Sequence, residues 1–297
     1  MRVLSRLVRV VRRSDFQRNP IKALWRTLLW HLRWQVDKKP WVLPLINDLK
    51  IRAPRCGPGA LIYYQGFSEP ETADFVLRFL KPGMVFLDIG AHIGEYTLLG
   101  AQAVGPKGQV HAFEPNPEIF RFLCENVKSN SLSNVTLNNL AISDVDGETE
   151  FEVCDEPSLC SLKSSAGPKE QRKVLESIVV RSIPLDKYWV GYETPIDLVK
   201  IDIEGAEMLA FVGSKRLLKS PDPDRPVWIF EYAPENYARF RYQADDLFRL
   251  LLGSGYTIWE YHAKRHVSPF VLGAKTAGTA NLIAAKNQDW LHSILSD

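Results

Sequence analysis

Three short runs place acidic side chains and glycines where ligand chemistry needs them. The first is Asp88-Ile-Gly90-Ala-His92-Ile-Gly94, after the apolar run Met84 to Leu87 and before Tyr96 and Thr97. A buried strand that breaks at glycines into a helix brings backbone N–H groups and a helix N-terminus against a ligand. The second is Glu114, in Phe113-Glu114-Pro115-Asn116-Pro117, about twenty residues further on. An acidic residue there accepts hydrogen bonds from both hydroxyls of a ribose. The third is Lys200-Ile-Asp202-Ile-Glu204-Gly205-Ala-Glu207. On a strand Lys200, Asp202 and Glu204 share one face and Val199, Ile201 and Ile203 the other.

These residue types define a chemistry. A dinucleotide cradle wants G-x-G-x-x-G after its strand, and His92 stands where the middle glycine would be. A side chain there obstructs a bulky diphosphate, and an amino acid-like ligand without phosphates tolerates it better. The carboxylates Asp202, Glu204 and Glu207 can accept a proton, hold hydroxyls or balance a cationic ligand, with Asp202 the first choice as base. They also permit a divalent metal held through oxygens, although no histidine pattern requires one. His92 is the second candidate base, since a neutral imidazole titrates in the right range. Lys200 pairs naturally with Asp202 and is, with Glu231, a candidate substrate-binding residue; Glu231, after Val227-Trp-Ile-Phe230, ends another apolar run where acceptor hydroxyls would bind.

The elements that must position these groups follow from the hydrophobic pattern. The spacing predicts a short strand at 60–67, a helix from Glu69 to Leu80, strand 84–89, helix 94–104, strand 109–113 and helix 117–129. Strand 134–141 and hairpin strand 148–153 follow, then a polar mobile loop over 154–177 that includes Ser158–Ser165. Strand 178–183, helix 185–190, strand 196–203, helix 206–219, strand 226–232, helix 243–252 and strands 256–260 and 280–286 complete the body. Alternating units imply a mostly parallel sheet with helices on both faces. Ligands in such sheets lie at the carboxyl ends of the strands.

Charge is distributed unevenly. Residues 1–55 hold 14 Lys/Arg against 3 Asp/Glu, in a chain whose net charge is only +2. Leu24, Trp25, Leu28, Leu29, Leu32 and Val36 recur at helical spacing after Pro20, flanked by Lys22, Arg26 and Arg33. This head suits packing on the body or on a second subunit, or peripheral membrane contact through residues 1–36. No nucleic-acid module follows it. Residues 1–58 therefore form a basic amphipathic extension, with Pro40, Pro44, Pro54 and Pro58 marking a linker, and 59–297 form the body. Cys56, Cys124, Cys154 and Cys160 have no metal-ligand spacing and read as reduced thiols of a cytoplasmic protein. An Arg-rich, acid-poor start also fits an organelle transit peptide.

The blocks Lys81-Pro82-Gly83, Asp88 to Thr97, Ala112-Phe-Glu114-Pro-Asn116-Pro, Ala141-Ile-Ser-Asp144 and Lys200 to Glu207 together resemble the FkbM family of S-adenosylmethionine-dependent methyltransferases, across roughly 60–232. The resemblance implies a Rossmann-like class I methyltransferase fold with a seven-stranded sheet. It implies O-methyl transfer from S-adenosylmethionine to a sugar, glycan or other secondary-metabolite hydroxyl. Asp88, Gly90 and Gly94, with His92, Tyr96 and Thr97 in the same block, would hold the methionine end. Glu114 would hold the ribose, with Asn116 beside it. Ala141, Ile142 and Asp144 would lie near the adenine, and Asp202 beside sulfonium and acceptor. Members usually carry Asn where this chain has His92. The rival readings are a nicotinamide-dependent oxidoreductase and a non-catalytic membrane-associated protein on a degenerate fold. The sequence sets no oligomeric state.

Overall fold

The computed structural model describes residues 13–164, 173–262, 266–271 and 280–296. The chain divides into two compact units, Met1–Pro70 and Glu71–Asp297.

In the first unit, α1 (Ser14–Arg18) is followed by α2 (Pro20–Val36). Asn19 caps α2, its side-chain oxygen accepting from the Lys22 N–H at 3.0 Å, and Pro20 sits in the first turn. The proline-rich stretch expected as a linker is a hairpin: β1 (Trp41–Pro44) pairs antiparallel with β2 (Lys50–Ala53). The strand expected at 60–67 is instead helical, within α3 (Gly57–Gln65). The Cys56 sulfur accepts from the Gly59 N–H at its start, and Pro58 pre-sets the first turn. Its Tyr63 and Tyr64 join Trp30, Trp34 and Trp41 in one aromatic cluster, with Trp30 stacked on Trp41 at 5.8 Å and on Tyr63 at 5.5 Å. That cluster decides which side of α2 faces inward. Ala23, Trp30 and Trp34 are buried, whereas Leu24, Trp25, Leu28, Leu29, Leu32 and Val36 are exposed.

The second unit is built on an eight-stranded sheet. Its elements in order are α4 (Pro70–Phe79), β3 (Val85–Ile89), α5 (Glu95–Val104), β4 (Gln109–Phe113), α6 (Pro117–Ser129), β5 (Val135–Asn138), β6 (Ala141–Ile142), β7 (Gly147–Cys154), β8 (Ser161–Leu162), β9 (Val174–Ile183) and α7 (Leu185–Tyr188). There follow β10 (Leu198–Ile201), α8 (Glu207–Val212), α9 (Lys215–Leu218), β11 (Val227–Tyr232), α10 (Pro234–Tyr237), α11 (Ala244–Gly253), β12 (Thr257–His262), β13 (His266–Pro269), β14 (Ala280–Ala285) and α12 (Gln288–Ser296). The spatial order is β13-β12-β14-β11-β10-β3-β4-β5. Neighbours from β11 to β5 run parallel, and β14 is antiparallel to both β11 and β12. Seven of these strands were expected. The eighth, β13, hairpins onto β12 at the edge and was too short to be distinctive.

Every residue of β3 is buried, as a strand covered on both faces requires. Strand order reverses between β3 and β10, since the chain runs outward from β3 to β4 and β5 and later returns to β3's other side. A crevice opens at such a point beyond the strands' carboxyl ends. Asp88 and Lys200 are register partners there.

The segment expected as strand 134–141 belongs to two sheets. The Asn139 side chain donates to the carbonyls of Glu114 and Pro115 and draws the chain off after β5. Ala141 and Ile142 then pair with β9 in a second sheet of order β6-β9-β7-β8. Part of the stretch expected as a mobile loop lies in that sheet, as β8 and the start of β9; residues 165–172 lie outside the described residues. The Cys154 N–H donates to the Cys160 sulfur at 3.1 Å. Among the described residues no helix is long and apolar enough to cross a membrane.

Candidate active site

The turn after β3 is fixed at its start by backbone bonds to β4. The Phe113 carbonyl accepts from the N–H groups of Gly90 and Ala91, at 3.0 and 2.9 Å. Gly90 has φ +82, and a Cβ there would lie 1.9 Å from the Asp202 carbonyl oxygen. Gly94, at φ +93, caps α5, and a Cβ would meet Leu123 at 2.6 Å. Only glycine satisfies both conditions at Gly90, where the obstacle is backbone; at Gly94 the Leu123 methyl can give way and the positive φ is what favours glycine. His92 sits between them at φ +50, a strained value for a residue with a side chain.

Asp88 is fully buried. One carboxylate oxygen accepts from the Thr97 hydroxyl at 2.6 Å; the other is buried and has no partner among the described residues. Burial pushes the Asp88 carboxyl up, against the pull of the Lys200 ammonium. The His92 backbone N–H donates to Glu114, while both its ring nitrogens are buried without hydrogen-bond partners. Burial holds that imidazole neutral, its pKa lowered to about 4 despite the Asp202 charge nearby.

Glu114 closes the ring. Its carboxylate takes the N–H groups of His92 at 2.9 Å and Asn116 at 2.8 Å. Asn116 in turn caps α6, its side-chain oxygen accepting from Glu118 and Ile119. Burial raises the Glu114 pKa to about 7, although both backbone donors oppose the shift.

On the other side of the crevice, the buried Lys200 ammonium donates to Asp202 at 2.8 Å and lies 4.5 Å from the centre of the Tyr96 ring. The strand ends at Ile201, so Asp202 and Glu204 stand past its mouth, where their charges reach solvent. Asp202, Glu204 and Glu231 each offer a carboxylate oxygen within 4.8 Å of the others. A divalent cation would find hard oxygen ligands there; acceptor hydroxyls would find the same acceptors.

The turn bearing Glu204 has φ +56 at that residue. Three groups hold it. Arg239 donates to the Glu204 carbonyl at 3.2 Å, the Tyr242 hydroxyl to the Gly205 carbonyl at 2.7 Å, and the N–H groups of Ile203 and Gly205 both donate to Glu207 at 3.2 Å. Glu207 is fully buried, and burial raises its carboxyl above the usual range. It therefore stands behind the turn, apart from the three converging carboxylates. Arg239 also donates to the Ser161 hydroxyl at 2.7 Å, tying the turn to β8.

Ala141 and Ile142 are buried in β6, with Ile142 in the same apolar cluster as Phe113. Asp144 is exposed on the following turn, accepting from the Ser143 hydroxyl at 3.4 Å. Sequence reasoning missed Arg239 and Tyr242, which sit in an irregular stretch after α10 with no fixed spacing to any motif.

The crevice at the strand-order reversal between β3 and β10 of this Rossmann-like sheet is thus bordered by the Asp88–Gly94 turn, Glu114 and the facing carboxylates. Residues 88–258 match the Methyltransferase FkbM domain, and the chain belongs to that family. It is 28% identical over 153 residues to the hexuronic acid methyltransferase AglP of Haloferax volcanii, covering 51% of this chain and 59% of that one. It is 29% identical over 181 residues to the 2-O-methyltransferase NoeI of Sinorhizobium fredii, covering 52% of this chain and 70% of that one. A SAM-dependent methyltransferase from Aquifex aeolicus superposes with a TM-score of 0.39 at 15% identity, over 74% of this chain and 94% of that one.

Proposed function

We propose that this protein transfers the methyl group of S-adenosylmethionine to a hydroxyl of a sugar or glycan. The observation that carries the reading is the convergence of Asp202, Glu204 and Glu231 beside the Asp88–Gly94 turn. The acceptor class rests on the relatives' own activities, on a hexuronic acid and at a 2-O position.

The residues present fit the methyl donor. The unpartnered, buried Asp88 oxygen suits the ammonium of its methionine end, and Glu114 suits the ribose diol. Ile142 offers an apolar wall for the adenine. When bound, the donor supplies an electrophilic methyl on a positively charged sulfur. Glu231 and Glu204 accept from acceptor hydroxyls and orient the reacting oxygen, since in-line geometry makes positioning a large part of such catalysis. Asp202 takes the hydroxyl proton as the oxygen–methyl bond forms. Lys200 holds Asp202 in place, and Glu207, Arg239 and Tyr242 hold the turn. Burial lowers the His92 pKa to about 4, out of the range that made its imidazole the second candidate base, so it stands behind Asp202 as a proton acceptor. Residues 1–36 fit peripheral contact with a membrane surface.

Incubation with methyl-labelled S-adenosylmethionine and a panel of hexuronic acid, hexosamine and phenolic acceptors tests the assignment. Label is expected in the sugar hydroxyls. Transfer to phenols alone removes the sugar reading, and no binding of the donor removes the catalytic one.

Glu114 gives the site a pH signature. Its folded pKa is raised from 4.5 to about 7. The stability this contributes to the free protein is present below pH 4.5 and is lost as pH rises to about 7. A ribose diol donates more strongly to the ionised form, which offers two acceptor oxygens, than to the neutral one, so ligand affinity runs the opposite way. Calorimetry is expected to find S-adenosylhomocysteine binding tighter by up to about tenfold per unit as pH rises towards 7, then level. Glu114→Gln is expected to bind weakly with a flat profile. A flat profile in the unaltered protein would take Glu114 out of the binding site.

A further inference from the structure

The basic head has an apolar face that its own unit leaves open. Leu24, Trp25, Leu28, Leu29, Leu32 and Val36 are exposed, Trp25 by 60% and Val36 by 88%. At 3.6 residues per turn they form a single stripe roughly 140° wide. The opposite side of α2 is closed by Trp30 and Trp34 against the aromatic cluster. Between the two faces, on one flank only, run Lys22, Arg26 and Arg33, and α2 contains no acidic residue. A cleft of about 590 Å³ lies on that flank, bordered by Arg18, Lys22, Arg26, Trp41 and Tyr63. Asp15 also borders it, and Arg13 neutralises that carboxylate at 2.6 Å. Arg26 is held over the Tyr63 ring at 4.8 Å and donates to the Tyr63 carbonyl, which fixes one cation at the cleft wall.

The charge decides what covers the stripe. A second copy meeting it by two-fold symmetry would bring up another head with 14 Lys/Arg against 3 Asp/Glu in its first 55 residues. Like charges across such a face repel. An anionic bilayer satisfies both features, with acyl chains against the stripe and phosphates against the row.

We propose that α2 lies in the plane of an anionic phospholipid surface, its stripe entering the acyl boundary and a lipid phosphate entering the cleft between Arg18, Lys22 and Arg26. This deepens, and rests on, the reading of residues 1–36 as a peripheral membrane contact.

Flotation of the full chain tests it, with vesicles of phosphatidylcholine alone and of phosphatidylcholine with an equal part of phosphatidylglycerol. The protein is expected to float with the mixed vesicles only, and less as salt is raised. The double variant Leu28→Glu, Leu32→Glu alters exposed positions. It is expected to bind S-adenosylhomocysteine as before and to lose vesicle binding by at least about tenfold. Arg18→Glu with Lys22→Glu is expected to weaken flotation as well; full retention would remove the cleft from the proposal. Failure of the full chain to float with the mixed vesicles overturns it. So does light scattering that finds a dimer dissolved by the Leu28→Glu, Leu32→Glu pair without vesicle binding, which assigns the stripe to a second copy. Loss of methyl transfer with flotation intact counts against the catalytic reading alone.

Discussion

Asp202→Asn is expected to lower kcat by roughly 10²–10⁴-fold, the range for losing a positioned general base. Donor-side affinity is expected to hold within about threefold, because the change removes an interaction made with the acceptor in the transition state. Asparagine keeps the shape of the side chain and an oxygen for the Lys200 ammonium, which lies 2.8 Å away. It cannot take a proton. The variant does reduce the charge compensation of a buried lysine, so a thermal melt must accompany the kinetics. Asp202 is partly exposed, which limits that loss. Near-normal kcat in a folded variant would pass the proton to His92. A large loss of S-adenosylhomocysteine binding with kcat unchanged would instead make Asp202 a cofactor ligand.

The largest structural effect is expected at Gly90. Alanine there must adopt φ +82 and place a methyl 1.9 Å from the Asp202 carbonyl oxygen. The obstacle is the backbone of the turn directly after β10, so no side chain can swing away. Gly255 separates the two penalties: its φ is +87 and a Cβ there meets nothing within 4 Å. Gly255→Ala is expected to cost about 1–2 kcal/mol, the left-handed backbone penalty alone. Gly90→Ala is expected to cost more than about 3 kcal/mol and to abolish S-adenosylhomocysteine binding. Denaturant unfolding of the two variants side by side gives the comparison. Equal losses would mean that the strand mouths spread apart easily.

The cradle was legible because its requirements are local. Asp88, Gly90 and Glu114 sit at strand ends, and Gly94 at a helix start, that the hydrophobic pattern locates within a residue or two, and Asp202 and Glu204 share a mouth for the same reason. The strand β6 was legible as apolar sequence but not as a member of another sheet, since the Asn139 side chain that diverts it bonds across to Pro115. The buried side of α2 was not legible at all. Periodicity marked Leu24 to Val36 as the apolar face, and the structure exposes it. The partners that meet Trp30 instead are Trp41, Tyr63 and Tyr64, which come from β1 and α3, and Trp34 packs edge-on against Trp30. Helix α12 had a readable signal that went unused: Asn287 caps it through the Trp290 N–H, and Leu291 and Leu295 are buried one turn apart. Arg239 and Tyr242 carried no such signal, because what they hold is a backbone carbonyl.

The close approach of Gly90 to Asp202 has a consequence for how such a site diverges. The turns of Gly90 and Asp202, to which the proposed function gives the donor and the proton, meet backbone to backbone, so neither can be remodelled alone. A change of acceptor must come from parts free of that contact: Glu231 at the end of β11, the irregular stretch around Arg239, and the small sheet that Arg239 reaches through Ser161. Exchange of those segments is the route by which a centre of this geometry would acquire new substrates.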